Sequence, residues 1–414
     1  MNKIKFLLIS FFLFCTLEIL AQKLATIEID ISESSFGFEV PVNINLDEIT
    51  ILPDSALSLF EIQDNHKMSV PFQVNNRESR ILHWSVKANK YGNRNHTYEL
   101  INKKVEKRFE IISAETKDGQ LILKAGNRNL LAYQFRTIYP PYGVDTVYKR
   151  SGFIHPLWSP HGQVLTQIQP EDHYHHYGIW NPWTHVLFEG DTVDFWNLNQ
   201  KQGTVKFVNL VSTIEGPVYS EYTTLHKHVV FKKSGEEKTA LNEKQTVRIY
   251  KPNSPDYYIT DITIELNCAS TSPFKILEYR YAGLGWRATE QWNKNNSEIL
   301  SSENKTRKGA DGTRARWIIA QGEIDNDYAG IVLMSHPDNY NHPEPLRIWP
   351  EDQNGRGDVF VNFSPTKNMD WEIVPGKNYT LKYRLLVFNG HCTKEKAESA
   401  WRNYTDEVKI NIIK

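Results

Sequence analysis

Apolar and polar residues alternate with a period of two along much of the chain. Residues 25–31 (ATIEIDI), 40–46 (VPVNINL), 205–211, 257–266 (YYITDITIEL), 316–320, 329–334 and 379–388 all show it, with Gly, Pro, Asn and Asp between them. Successive side chains of a strand point to opposite faces, so this alternation predicts half-buried β-strands. Only 394–408, where Ala397, Trp401 and Tyr404 fall three or four apart, has the spacing of a helix packed on one side. The expected fold class is all-β with one C-terminal helix.

The chain has 414 residues. Lys3 and Lys5, the apolar run 6–17 and the small Ala21 make the three parts of an export signal, so 1–21 is read as a signal peptide. No later apolar run approaches the roughly 20 residues a membrane-spanning helix needs. The expected location is periplasmic or secreted, without membrane insertion. The mature remainder exceeds what one core usually reaches, so two domains are expected. A boundary falls in the polar stretch SAETKDG and the turn AGNRN between Ile112 and Arg128. This predicts a small N-terminal β-sandwich over 22–120 and a large β-supersandwich over 121–414 that carries the active site.

Lys and Arg number 48 against 49 Asp and Glu, a net charge of −1. That balance excludes a nucleic-acid binder, which carries a basic excess. After the signal only Cys268 and Cys392 are left, either paired or both buried thiols.

Candidate chemistry concentrates in Tyr148–Trp196, which holds six of the fourteen histidines among tryptophans, tyrosines and acids. In an extended backbone His173 and His175 share one face while Tyr174 and His176 take the other. An H-x-H pair of this kind can seat a divalent metal with a third ligand from Asp172, Glu189, His226 or His228. The competing reading needs no cofactor: the histidines contact substrate directly or bond to neighbouring acids. His155 lies in a turn, and Trp158, Trp180 and Trp183 offer apolar faces for sugar stacking, although each tryptophan taken singly is more often core. In EYRYAGLGWR, Glu278 and Arg280 alternate ahead of Gly283 and Gly285, and Arg287 closes the motif. His336 ends a predicted strand and opens a polar loop, a place where sheet proteins display catalytic groups.

Taken in order, SGFIHPLWSPHGQVLT, PEDHYHHYGIW, YAGLGWRATEQW, VLMSHPDNYNHPEP, FVNFSP and LKYRLLVFNG resemble the secreted bacterial PmoA-like family, over about 131–401. The resemblance implies a secreted protein of a glycan-degrading bacterium, with the oligosaccharide as partner. Where that family has Arg after the paired histidines, this chain has Tyr177. The expected activity is elimination on oligosaccharides of an acidic, uronate-containing polysaccharide, as a lyase or a dehydratase. His175 or His176 would act as base, Arg287 would neutralise the carboxylate, Tyr177 would be the acid, and a metal at His173 and His175 can replace the arginine. A glycoside hydrolase and a non-catalytic glycan-binding protein are the rival expectations.

Overall fold

The computed structural model describes residues 22–31, 37–64, 66–87, 94–103 and 109–414. The signal peptide expected at 1–21 lies outside the described residues. The strands predicted from alternation are present at Gln22–Asp30, Glu39–Asn45, Gly203–Ile214, Tyr257–Cys268, Trp317–Ile324, Asp327–Ser335 and Tyr379–Asn389, and the helix is Lys394–Thr405. Alternation sets the facing. In Glu237–Tyr250, for example, Val247 and Ile249 are buried while Lys244 and Arg248 lie on the other face.

Two eight-stranded antiparallel sheets form the large domain. One, of long strands, runs in the order Gly203–Ile214, Tyr219–Phe231, Glu237–Tyr250, Tyr257–Cys268, Tyr379–Asn389, Asp327–Ser335, Trp317–Ile324, Ser297–Ser301. The other, here called the site sheet, runs Leu346–Ile348, Phe360–Phe363, Gly285–Arg287, Ile179–Trp180, Phe153–Leu157, Arg128–Gln134, Gln120–Ala125, Ile112–Lys117. Ile154, Ile179, Trp286 and Val361 of the site sheet share one apolar core with Val247, Ile262 and Leu385 of the long-strand sheet. A four-stranded sheet that includes Val186–Phe188 and Phe274–Ile276 completes that core. The opposite face of the site sheet carries a second aromatic cluster of Phe153, Tyr177, Trp180, Trp196, Trp349 and Phe360. The helix covers the outer face of the long-strand sheet through Ala397, Ala400 and Trp401.

The N-terminal sandwich packs a five-stranded sheet against a three-stranded one around Ile27, Val42, Leu59, Trp84 and Leu100. Two features correct the expected boundary at residue 120. Ile112–Lys117 already belongs to the site sheet, because its alternation continues across a tight turn into Gln120–Ala125. The last strand, Lys409–Ile413, returns to pair with Gln22–Asp30, so the N-terminal sandwich contains the chain's end. The domains are joined by polar contacts: the buried Gln73 side-chain oxygen accepts from the Tyr219 N–H at 3.2 Å, and exposed Arg77 reaches buried Glu221 at 2.8 Å. Cys268 and Cys392 are free thiols, Cys268 donating to the Ile373 carbonyl.

Candidate functional site

The histidine segment is a turn and not the extended strand expected from its alternation. The His173 N–H donates to the Pro170 carbonyl (2.9 Å) and the His176 N–H to that of His173 (3.0 Å). Pro-Glu-Asp at 170–172 is turn chemistry, and it overrides the period of two. Gly178 then takes a positive φ of 57°, and a β-carbon there would collide with the Ile154 carbonyl, so glycine alone lets the chain re-enter the sheet beside Phe153–Leu157.

Because the backbone turns, three histidines converge where an extended chain would have sent His176 to the far side. One ligand nitrogen from each of His173, His175 and His176 lies within 4.8 Å of the others. His176 is buried, stacked on Phe360 (ring centroids 5.0 Å) and on His173 (4.8 Å), with Trp180 at 5.1 Å and Trp349 at 5.3 Å. His175 meets both other rings edge-on. Burial pushes His175 down to about 3 and His176 well below the usual imidazole value, with the neighbouring cationic groups adding to it. Both rings are therefore neutral near pH 7, the state that binds metal. The Nδ1 of His176 is buried without a hydrogen-bond partner.

Behind the histidines stands a carboxylate–guanidinium pair. Asp172 accepts from Arg287 through both oxygens (3.0 and 3.1 Å), from His173 Nδ1 (2.8 Å) and from Asn354 (2.7 Å). Partial burial opposes ionisation of Asp172, but the His173 bond and the Arg287 charge prevail and hold it at about 2. Arg287 is 2% exposed, stands over the Trp349 ring at 4.7 Å and lies 3.6 Å from Asp358. The result is a carboxylate holding one nitrogen of His173 and leaving the other for a ligand, the arrangement found behind metal-binding histidines. Imidazole donors suit zinc, copper, iron or nickel. Zinc–nitrogen bonds of about 2.0–2.1 Å place tetrahedral ligand atoms about 3.3 Å apart, so the rings must close in slightly around an ion.

The remaining expectations separate from this centre. Tyr177 is fully buried, its hydroxyl donates to the Tyr148 carbonyl, and burial drives its pKa far up; it cannot serve as the acid. Arg287 is committed to Asp172 and is not free to bind a substrate carboxylate. Trp180 and Trp183 are core residues, Trp180 beneath His176 and Trp183 on the opposite face against Trp371, so neither is a stacking surface. Glu189 is held by Lys232, Lys238 and Ser272, and His226 and His228 bind Glu243, so none is a third ligand. His155 lies within the strand Phe153–Leu157 and not in the turn expected from its prolines; it is half-buried, bonded to Thr166 (2.9 Å) and pushed by burial to about 4. Trp158 lines a separate pocket of about 540 Å³ with His161. Glu278 and Arg280 are exposed, Arg280 lying over Tyr279 and Tyr281. Trp349, Asn354, Asp358 and Phe360 complete the centre and had no signal in sequence, because they arrive from a loop and strand almost two hundred residues away.

His336 packs on Tyr404 of the helix and pairs with Asp338 at 3.3 Å, away from the histidine centre. Its loop instead surrounds Glu344, which is fully buried and accepts from Ser335 (2.6 Å), Asn339 (2.8 Å) and Tyr383 (3.0 Å). Burial raises Glu344 to about 7 against the pull of those three bonds. An acid whose folded pKa is raised is most favourable to folding while protonated, so its contribution is full below the unfolded value and declines as pH rises toward 7. A shift of this size amounts to about 3 kcal/mol. Glu344→Gln is expected to remove that decline, matching the wild type at pH 5 and exceeding it in denaturant midpoint at pH 8; parallel pH profiles for the two proteins would refute this.

Fold and centre together define a two-domain β-sandwich protein with a triple-histidine site on an aromatic floor. The chain belongs to the family of unknown function DUF6807, whose pattern matches residues 120–402. No curated protein matches its sequence. Among solved structures it is similar to an α-mannosidase from Enterococcus faecalis V583, at 9% identity and TM-score 0.46 over 94% of this chain and 46% of that one. It is also similar to a glycosyl hydrolase family 38 protein from Enterococcus faecalis, at 9% identity and TM-score 0.47 over 95% and 47%. A galactose mutarotase related enzyme from Lactobacillus acidophilus shares 9% identity at TM-score 0.34 over 72% of this chain and 99% of its own. The chain spans about half the length of the first two. These likenesses are weak, and the description of the fold stands on the sheets themselves. Among the described residues no helix is long and apolar enough to cross a membrane.

Proposed function

We propose that the protein is an exported carbohydrate-active enzyme that acts on oligosaccharides of an acidic, uronate-containing polysaccharide by elimination, with one divalent metal at His173, His175 and His176. The observation that carries this reading is the convergence of three imidazoles, two of them held neutral by burial, in front of the Asp172–Arg287 pair. Elimination next to a carboxylate needs a cation to take up the developing charge and a base for the α proton. With Arg287 engaged, the positive charge would come from a metal held by His173, His175 and His176, which would also lower the pKa of a water bound to it toward 7 and so provide a base. The leaving oxygen takes its proton from solvent at the half-buried edge beside His173, since Tyr177 is closed off.

Hydrolysis has less support. It requires two carboxylates facing one another across the scissile bond, whereas Asp172 is tied to Arg287, Glu189 to lysines, and buried Asp194 to Thr184 and Asn197. The resemblance of the histidine and tryptophan motifs to the PmoA-like family supports the glycan setting, and the segment 1–21 supports export.

The test is incubation of the purified protein with acidic and neutral oligosaccharides, with and without chelator, followed by mass spectrometry. Loss of one water, or cleavage with an unsaturated end, that stops with chelator and returns with added divalent ion is the expected result. Fragments that have gained water would replace the reading with hydrolysis, and unchanged oligosaccharides across the panel would replace it with binding.

A further inference from the structure

Among the described residues, one buried arginine has no ion-pair or side-chain hydrogen-bond partner. Arg150 is 3% exposed, and its Nε is buried without a hydrogen bond. What it meets is aromatic: its guanidinium lies 5.4 Å from the Tyr177 ring centroid. The acid whose charge reaches it, Glu243, already accepts from both His226 and His228 at 2.9 Å. A charge taken out of water is ordinarily paired, because the desolvation cost is several kcal/mol. An unpaired buried arginine is thus a group waiting for an anion.

Arg150 lines a cavity of about 570 Å³ between loop 145–150 and the strand Gly203–Ile214, within the range of small-ligand sites. A second lining residue, Thr204, also has a buried hydroxyl with no partner. Of the other lining cations Lys201 is paired with Asp145 (3.1 Å) and Lys206 with Glu237 (2.5 Å), so the excess of two cations is Arg150 and Lys149. Tyr139 stands on the rim, 60% exposed, with the Lys149 ammonium 5.8 Å from its ring centre. Two unsatisfied buried donors, a cationic lining and an exposed ring face are the parts needed for an oxyanion on a sugar ring.

We propose that this cavity is a binding site for a sugar-borne oxyanion, a carboxylate or a sulfate ester, held by Arg150 and Thr204 with the pyranose against Tyr139. The oxyanion site rests on its own observations, and its assignment to the glycan substrate rests on the function proposed above. Loop 145–150 links the two places. Thr146, Val147 and Lys149 line the cavity, while Tyr148 packs on Tyr174 of the histidine turn at 5.6 Å and takes the Tyr177 hydroxyl on its carbonyl.

Calorimetric titration of the full chain with glucuronate, glucose 6-sulfate and glucose at low ionic strength tests this. At least one of the two anions is expected to bind and glucose is not; the tighter anion identifies the natural group. Arg150→Met is expected to weaken binding about 10- to 100-fold, the range for a charge-assisted bond, and Thr204→Val several-fold. If Arg150→Met does not fold, Thr204→Val carries the test. Equal binding of all three sugars, no binding of either anion at millimolar concentration, or unchanged affinity in a folded variant overturns the proposal. Chelator is expected to leave this binding intact. A wild-type chain that binds the anion but converts no oligosaccharide would overturn the elimination reading and not the anion site.

Discussion

Replacing His173 with alanine is expected to abolish bound metal and to lower turnover by more than about 100-fold. Loss of a carboxylate behind a ligating histidine already costs about 10- to 100-fold in metal affinity, and loss of the ligand itself costs more. Asp172→Asn falls in that lower range. It keeps the shape of the carboxylate but gives up the charge that orients His173 and neutralises Arg287. Metal content of the purified variants, read beside circular dichroism, separates ligation from packing. A well-folded His173→Ala chain that still carries one equivalent of ion would mean that the three rings merely stack. His176→Ala serves this purpose less well, because that ring is also part of the aromatic floor with Phe360 and Trp180.

Glu243→Ala is expected to cost about 3–5 kcal/mol, the usual result of removing one member of a buried charged network. Glu243 holds His226 through Nδ1 and His228 through Nε2, and the Tyr133 hydroxyl closes on His226 Nε2 at 2.5 Å. All four side chains are buried, and the acid's charge, which reaches Arg150 without a direct contact, goes with it. Burial works against the charged form of Glu243, but its two histidine bonds prevail and hold it well below the carboxylate range; burial lowers His228. Both depressions mean that the folded chain binds fewer protons than the unfolded one. Stability is then full above the unfolded imidazole pKa and falls as pH drops through it and on through the carboxylate range. Denaturant titrations at pH 7.5 and pH 5 measure both effects. A loss below about 1 kcal/mol at pH 7.5 would show that the network lacks the net charge assigned to it.

Strand positions and the C-terminal helix were legible because half-buried strands must alternate with a period of two and a packed helix with one near 3.6, and 257–266 and 379–388 appear as adjacent strands of one sheet. Long-range pairing was not legible. The return of Lys409–Ile413 to the first strand leaves only a short alternating run, KINII, with no hint of its partner. At the site, His173 and His175 were recognisable as ligands and His176 as a candidate base, but an extended reading put His176 on the other face and left it out of the ligand set, although Pro170 already marked the turn. Arg287 was noticed for its charge and given the wrong task, since its partner Asp172 lies 115 residues earlier. The tryptophans misled because a ring that floors a site and a ring that contacts ligand share one composition.

The pairing of the final strand with the first one also sets an order of events during synthesis. Most of the N-terminal sandwich is made before the large domain, yet Gln22–Asp30 stays an uncovered edge until Lys409–Ile413 have left the ribosome. Exposed edges of this kind recruit other chains. A stalled or clipped product that lacks Lys409–Ile413 would therefore be marked by self-association through Gln22–Asp30, and a domain fused directly after that strand would sit beside the first one.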